Sequence, residues 1–194
     1  METTDAADLD RADMRRLVAG SDAALNNLME RYNTPVFHFL FRMLGNEDDA
    51  NDLAQETFVR VYQHRVRFKP DAKFSTWLFA IATNLARNHH RWRSRHPNVS
   101  LDAPDDDTDQ SLGDRLPASG SAPDGTLQAQ ERHAAVRAAV ESLPEDMREA
   151  IVLCEWEELA MADAAEILGA TPKAIENRLY RARKILREKL KNWL

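Results

Sequence analysis

The C-terminal stretch from Glu157 to Leu194 constrains the fold of this chain most, because it has the pattern of two helices joined by a tight turn. Gly169 ends the first helix with a residue type that accepts the left-handed conformation. Thr171 is a good N-cap for the second helix, and Pro172 occupies the first helical position, where its missing N–H costs nothing. The pattern predicts a helix-turn-helix, whose second helix can enter a DNA major groove.

The predicted second helix has one apolar face and one basic face. Apolar side chains recur at every third or fourth position and predict a buried stripe of Ile175, Leu179, Ala182 and Leu186. The opposite face carries Lys173, Asn177, Arg178, Arg181, Lys184 and Arg187. From Thr171 onward the chain has eight Lys or Arg residues and two Glu, hence a net charge of +6, whereas the whole chain is at −6. Because local charge decides binding, this face is a candidate for DNA recognition; the alternative is an ordinary solvated amphipathic helix.

A second basic stretch lies in the middle of the chain. Residues 72–101 contain no acidic residue, and 74–95 has the period of one long helix. The core-facing positions of that helix are Trp77, Leu78, Ile81 and Leu85. Its second half interleaves arginines with Asn, His and Trp. Arginine forks bind phosphates and aromatic rings stack on unpaired bases, so we predict contact with single-stranded or opening DNA. Core packing of Trp77 and a solvated histidine face are the alternatives.

The N-terminal part has helical patterns at 8–19 and 25–44, separated from the basic helix by an acidic one. Pro35 interrupts the second pattern and predicts a kink or a restart of the helix. After the Gly45–Asn46 turn, acids crowd the first turns of the next helix, where the helix dipole favours negative charge. Their spacing lacks the Gly-centred loop of a calcium site. We favour an acidic face for a basic partner, or a plain solvated N-terminus, over metal binding.

The chain divides at residues 97–126, where Pro, Gly, Ser and Asp dominate and the helical period disappears. This composition predicts a flexible acidic linker between two small helical domains, at 1–96 and 127–194. Because strand patterns are few, we expect an all-α fold whose C-terminal domain is the helix-turn-helix.

The single cysteine, Cys154, excludes a disulfide within the chain and suits a reducing cytoplasm. The acidic N-terminus lacks the apolar segment of a signal peptide, and no apolar run reaches the roughly 18 residues of a membrane span. We therefore expect a cytoplasmic protein without membrane insertion. No Ser-His-Asp pattern, phosphate-binding Gly loop or metal-ligand spacing is evident, so we expect neither an enzyme nor a cofactor or metal site.

These segments together resemble the bacterial extracytoplasmic-function (ECF) sigma factors, the small alternative sigma factors of RNA polymerase. The resemblance extends from about Leu25 to Leu190. Four motifs in the family's order carry it: DLAQETFVRVYQH at 52–64, FSTWLFAIATNLARNHHR at 74–91, LPEDMREAIVL at 143–153 and AAEILGATPKAIENRLYRARKILR at 164–187.

The resemblance implies a role for each part. The surface that docks on the beta-prime clamp helices of core RNA polymerase would contain Asp52, Gln55 and Glu56. The loop and helix that recognise and open the minus-ten element would contribute Phe68, Lys69, Lys73, Phe74, Asn84, Arg87, Asn88 and Arg91. The helix-turn-helix would rest on the beta flap and recognise the duplex minus-thirty-five element through Thr171, Lys173, Asn177, Arg178, Arg181 and Lys184. Glu176 departs from the basic or small residues common at its position.

The implied function is promoter choice and melting by a monomer within the holoenzyme, and the family also allows an anti-sigma factor as a partner. One rival is a helix-turn-helix regulator that binds palindromic duplex sites as a dimer. The acid-free aromatic helix and the long acidic linker argue against it. The other rival is a helical scaffold without a DNA role, against which strong salt dependence of DNA binding would count.

Overall fold

A computed structural model describes residues 6–96 and 126–193, and within them the chain is helical without strands, which confirms the all-α prediction. The helices are α1 (Ala6–Val18), α2 (Asp22–Leu44), α3 (Glu47–His64), α4 (Phe74–Arg95), α5 (Thr126–Glu141), α6 (Glu145–Ile151), α7 (Met161–Leu168) and α8 (Pro172–Lys189). A 3-10 turn at Arg65–Arg67 follows α3, and a π-helical turn at Val152–Trp156 extends α6. In the part of the chain that is described, no helix is long and apolar enough to cross a membrane.

Helices α1 to α4 form an N-terminal bundle in which α2 packs against the other three. The sequence predicted either a kink or a restart at Pro35. The restart is wrong, because α2 continues from Asp22 to Leu44, and the kink stays a prediction. Proline removes one backbone hydrogen bond inside a helix. Here Val36, Phe39 and Leu40, all at 0% exposure, follow it directly. Burial of these side chains holds the helix together where the local signal favours a break.

Two buried carboxylates fasten α1 onto α2. Arg31 donates from Nε to Asp10 at 3.0 Å and from Nη2 to Asp13 at 2.6 Å. The Tyr32 hydroxyl donates to the second oxygen of Asp10, and Asn27 donates to Asp13 at 3.1 Å. Burial alone would raise the pKa of Asp13, but the hydrogen bonds from Arg31 and Asn27 outweigh it and lower that pKa. Both acids are therefore satisfied inside their own bundle.

Helices α5 to α8 form a C-terminal bundle that contains the predicted helix-turn-helix. Gly169 ends α7 in the left-handed conformation with φ of +62°. Thr171 caps α8, since its hydroxyl oxygen accepts from the Ala174 N–H at 3.2 Å, and Pro172 is the first helical residue. The buried face of α8 consists of Ile175, Leu179 and Ala182.

The two bundles pack against each other, with α4 against α7 and α2 against α5 and the π-helical turn. A single hydrophobic cluster extends through both, from Met14 in α1 to Ala182 in α8. The predicted linker at 97–126 lies outside the described residues, except for Thr126, the first residue of α5. The DNA-binding candidates of both halves therefore lie on one packed body.

Candidate nucleic-acid interface

The outer face of α8 presents a row of polar and basic side chains. Lys173, Asn177, Arg181 and Lys184 are all exposed. Thr171 is also exposed, although its hydroxyl already serves the helix cap. Lys173 Nζ lies 2.8 Å from Glu176 Oε2. Glu176, the acid that departs from the family pattern, therefore partly neutralises the charge of Lys173.

Arg178 lies at the edge of that face instead of at its centre. Its side chain is 27% exposed, and Nε lies 3.3 Å from Asp146 Oδ2 at the start of α6. One terminal guanidinium nitrogen is buried without a hydrogen-bond partner. Contact with a DNA groove requires this side chain to leave Asp146. The helical spacing within α8 could not indicate this, because Asp146 belongs to a different helix.

Tyr180 is a candidate that the sequence analysis missed. Its side chain is 70% exposed, and it lies three residues after Asn177 and one before Arg181 on the outer face. An aromatic ring on the basic face of a recognition helix can contact thymine methyl groups. The signal was present in the sequence as an aromatic residue outside the apolar stripe of α8.

Helix α4 presents the second candidate surface. Asn84, Asn88 and Arg91 are exposed at positions i, i+4 and i+7, hence on one side of the helix. Asn88 Oδ1 accepts from Arg91 Nη2 at 2.5 Å, so the two side chains are held together. Trp92 is 49% exposed and its ring stacks on His96 with centroids 5.0 Å apart. Amide edges beside an arginine and an exposed ring suit an unpaired strand.

Arg87, on the same helix, is not available in this arrangement. Its Nε and Nη2 donate to the two oxygens of Glu149 at 2.5 and 2.7 Å. Glu149 belongs to α6 and is 2% exposed. The hydrogen bond from Arg87 to Glu149 raises the pKa of this guanidinium further. A predicted DNA contact is therefore paired with an acid of the other bundle.

The loop before α4 is supported by an aromatic cluster. Phe74 packs edge-on against Tyr32 with centroids 5.2 Å apart, and Phe68 lies 5.3 Å from Trp77. Phe74 is only 2% exposed, so its ring cannot stack on a base without rearrangement, and Phe68 is half-buried. Lys69 is exposed.

Lys73, the last residue before α4, is exposed and paired across the bundles. Its Nζ lies 2.8 Å from Oδ2 of Asp163, an acid of α7. Lys73 and Arg87 are therefore alike: each is a predicted DNA contact that forms an ion pair with an acid of the C-terminal bundle.

The predicted docking surface lies along α3. Asp52 and Gln55 are exposed, and Glu56 is partly exposed with its Oε1 2.8 Å from Arg60 Nε. The same side of the helix continues with two exposed apolar residues that the sequence analysis missed, Val59 at 46% and Tyr62 at 38%. Exposed apolar side chains beside polar ones are a common feature of surfaces that bind other proteins.

Fold and surface together define a class: an all-α protein that has a helix-turn-helix with a basic outer face, and a second exposed polar and basic surface on α4. Models of known protein families match both halves of the chain. The Sigma-70 region 2 family matches residues 28–96, and the Sigma-70 region 4 family matches residues 133–186.

Individual relatives match over nearly the whole chain. The ECF RNA polymerase sigma factor SigW of Bacillus subtilis is 31% identical, covering 92% of this chain and 95% of the relative. The ECF RNA polymerase sigma-E factor of Escherichia coli is 30% identical, covering 93% and 94%. The chain belongs to the ECF family of RNA polymerase sigma factors, and it is an alternative sigma factor for promoter recognition.

Two solved structures have a similar fold. One is CnrH in complex with the cytosolic domain of CnrY, with a TM-score of 0.71, 25% identity, and coverage of 95% of this chain and 99% of that one. The other is the sigma factor RpoE in complex with the anti-sigma factor NepR from Bartonella quintana, with a TM-score of 0.66, 28% identity, and coverage of 86% and 96%.

Proposed function

We propose that this sigma factor divides promoter recognition between its two surfaces, with α4 and its preceding loop at the minus-ten element and α8 at the minus-thirty-five element. The observation that supports this division is the exposed row Asn84, Asn88 and Arg91 on a helix that lacks acidic residues. Asparagine amides can pair with exposed base edges, and the arginine neutralises a phosphate. The protein itself contributes binding, and the polymerase performs the chemistry.

At the minus-ten element, the loop supplies charge and α4 supplies base contacts. The exposed Lys69 can bind a DNA phosphate directly. Lys73 and Arg87 bind phosphates after their ion pairs with Asp163 and Glu149 are broken. Phe74 acts indirectly, because its buried ring fixes the loop against Tyr32 and α4. Phe68 lies at the edge of that cluster, where a flipped base can approach it.

At the minus-thirty-five element, α8 enters the major groove with its outer face. Lys173, Asn177, Arg181 and Lys184 are placed to contact bases and phosphates, together with Thr171 at the helix start. Tyr180 adds an apolar contact in the centre of the row. Arg178 can also contact the DNA after its ion pair with Asp146 is broken.

Polymerase binding uses a different side of each bundle. We assign Asp52, Gln55 and Glu56, extended by Val59 and Tyr62, to the beta-prime clamp helices. The C-terminal bundle has a groove whose apolar residues are Ile151, Trp156, Leu186 and Leu190, and we assign it to the beta flap. The chain then acts in the cytoplasm as a monomer within the holoenzyme, and an anti-sigma factor is its expected regulator, because RpoE was solved with one.

In vitro transcription with core polymerase on a random promoter library tests this function. We expect the chain to select two short elements whose spacing is fixed, and to start transcription at a set distance from them. Selection of a palindrome without core polymerase would instead indicate a dimeric helix-turn-helix regulator. Co-purification with core polymerase is the complementary measurement.

The docking assignment is tested by Asp52→Lys/Glu56→Lys. Both side chains lie on the outer face of α3, so we expect the double variant to fold normally and to bind core polymerase at least about tenfold more weakly. A pull-down titration measures the affinity. Unchanged affinity would remove α3 from the interface.

A further inference from the structure

Helix α8 carries an acid among the side chains that are proposed to enter the DNA major groove. This acid is Glu176, in the N-terminal half of the helix, and its side chain is 56% exposed. Its neighbours on the helix surface are Lys173, three residues before it, and Tyr180, four residues after it. Both neighbours are proposed to contact the DNA, so Glu176 faces the groove together with them.

The position of the Glu176 carboxylate is defined by Lys173. The lysine donates from Nζ to Glu176 Oε2 at 2.8 Å, a hydrogen bond between two charged groups. A carboxylate on a helix that enters a groove is repelled by the phosphates on either side, and the ammonium group offsets this charge. An ammonium has three donors and a carboxylate has about four lone pairs, so each partner keeps capacity for a base. The pair can therefore enter the groove without a net negative charge.

Cytosine is the base whose major-groove edge fits a carboxylate. It presents the N4 amino group as a donor and has no acceptor on that edge. Adenine also presents a donor, but its N7 acceptor lies beside it, and the polar groups of guanine and thymine are acceptors that repel a carboxylate. The guanine paired with cytosine presents O6 and N7, which accept from a lysine. A carboxylate held beside an ammonium group therefore matches a C·G pair.

We propose that Glu176 is a specificity-determining residue, which selects a cytosine at one position of the minus-thirty-five element while Lys173 holds its carboxylate in place. The Glu176 carboxylate accepts from cytosine N4, and this hydrogen bond is worth about tenfold in affinity over the other bases. The inference rests on the proposed contact of α8 with the minus-thirty-five element. An acid that only faced solvent would instead weaken binding equally on every sequence, through repulsion of the phosphates.

Glu176→Gln tests the proposal, because glutamine keeps the length of the side chain and replaces the carboxylate with an amide. An amide both donates and accepts, which suits N6 and N7 of adenine. The holoenzyme, formed from core polymerase and the full chain, selects DNA from a promoter library whose minus-thirty-five element is randomised. We expect the wild type to prefer cytosine about tenfold at one position, and Glu176→Gln to prefer adenine there and to keep the other positions.

Glu188→Gln is the matched control, because it removes the same charge from the same helix. Glu188 is exposed and lies about 18 Å further along α8, at the usual rise per residue. We expect this variant to keep the wild-type base preference at every position. Its effect on overall affinity measures how much the loss of one negative charge strengthens binding without base selection.

Lys173→Met tests whether the lysine positions the carboxylate. Both side chains of the pair are exposed, so the variant should fold normally, and thermal denaturation checks this. Without the ammonium group, Glu176 loses the partner that holds it, and we expect the preference for cytosine to fall severalfold at the position that Glu176→Gln changes. An unchanged preference would exclude the positioning role of Lys173.

Two results would overturn the role of Glu176. One is that Glu176→Gln selects the same bases as the wild type, with or without the uniform gain in affinity seen in Glu188→Gln. The other is that the position changed by Glu176→Gln is not a cytosine in the wild-type selection. Failure of the proposed function gives a different result, because the wild-type holoenzyme would then select no minus-thirty-five element, which excludes the contact of α8 and the role of Glu176 together.

Discussion

Glu157 is a carboxylate whose partner is too distant to offset its loss of water. Its side chain is 6% exposed, and the nearest arginine atom, Arg42 Nη1, lies 3.5 Å away. Burial raises the pKa of Glu157 to about 7, against the opposing effect of Arg42. Burial likewise lowers the pKa of Arg42, whose guanidinium also lies over the Trp156 ring at 5.4 Å. Loss of water by the Glu157 carboxylate therefore outweighs its attraction to Arg42.

This imbalance predicts a pH dependence of stability. The folded pKa of about 7 lies above the reference value of 4.5, so the folded state binds the proton more tightly than the unfolded state does. Stability from this group is complete below pH 4.5 and decreases as the pH rises towards 7. We expect Glu157→Gln to raise the free energy of unfolding by about 1–3 kcal/mol at pH 8, measured by urea denaturation.

The comparison at low pH supplies the control. At pH 4.5 the wild-type carboxyl is protonated when folded and resembles the glutamine, so the difference should largely disappear. A gain that stays constant across the range would show that the amide stabilises by packing, not by removing a charge.

Arg178 supports a second prediction, because its ion pair with Asp146 would compete with the DNA contact proposed for it. Asp146→Asn should release the guanidinium and leave α8 intact, since the pair is partly exposed. Arg178→Ala should cost on the order of 1–3 kcal/mol at one upstream position if this side chain contacts a base. The effects of Asp146→Asn and Arg178→Ala are measured as holoenzyme affinity for single-base variants of the upstream element. Equal weakening on every sequence would identify a phosphate contact instead.

At the scale of elements, the start of α8 depends on one hydroxyl. The Thr171 Oγ1 satisfies the Ala174 N–H, which has no partner within the helix. Thr171→Ala should destabilise the C-terminal bundle by about 1 kcal/mol and lower the thermal midpoint by about 2–4 °C. Thr171→Ser keeps the hydroxyl and should retain most of the stability. Equal losses in the two variants would show that the methyl group, not the cap, matters.

Helix ends were predictable from sequence where their signals are local. The bounds of α4 at Phe74–Arg95 were predicted to the residue, and Gly169, Thr171 and Pro172 mark the helix-turn-helix. The restart considered at Pro35 does not occur, because burial of the following residues outweighs a local signal. Helix propensity depends on a few neighbouring residues, whereas packing depends on contacts throughout the bundle and can override it.

The side-chain environment of the candidate site was predictable only in part. The family resemblance named Asn84, Asn88 and Arg91 as candidate DNA contacts, and the structure has all three exposed on α4. Spacing could not predict that Arg87 pairs with Glu149, because that acid is 62 residues away in the sequence. Nor could it predict that Phe74 is buried. Those environments are set by contacts between elements, which periodicity within one element does not encode.

At the scale of the whole molecule, the residues proposed for docking and those proposed for melting lie on different helices, so the two roles can be tested separately. The docking candidates lie on α3 and the melting candidates on α4, so a change in one should spare the other. Asn84 is exposed and lies in the acid-free stretch, so its replacement should remove the proposed base contact without disturbing the core. Asn26→Ala, an exposed asparagine of α2 outside both candidate surfaces, is the matched control.

We predict that Asn84→Ala forms a normal holoenzyme and binds duplex promoters, but opens them poorly. A contact to an unstacked base contributes roughly 1–3 kcal/mol, which is comparable to the cost of unstacking one step. Losing one contact therefore reduces the open fraction by about tenfold and leaves closed-complex binding intact. Permanganate footprinting measures opening, and a template with a pre-melted bubble should restore transcription, because the unstacking cost is then already met. Normal footprints in Asn84→Ala would exclude this face of α4 from melting.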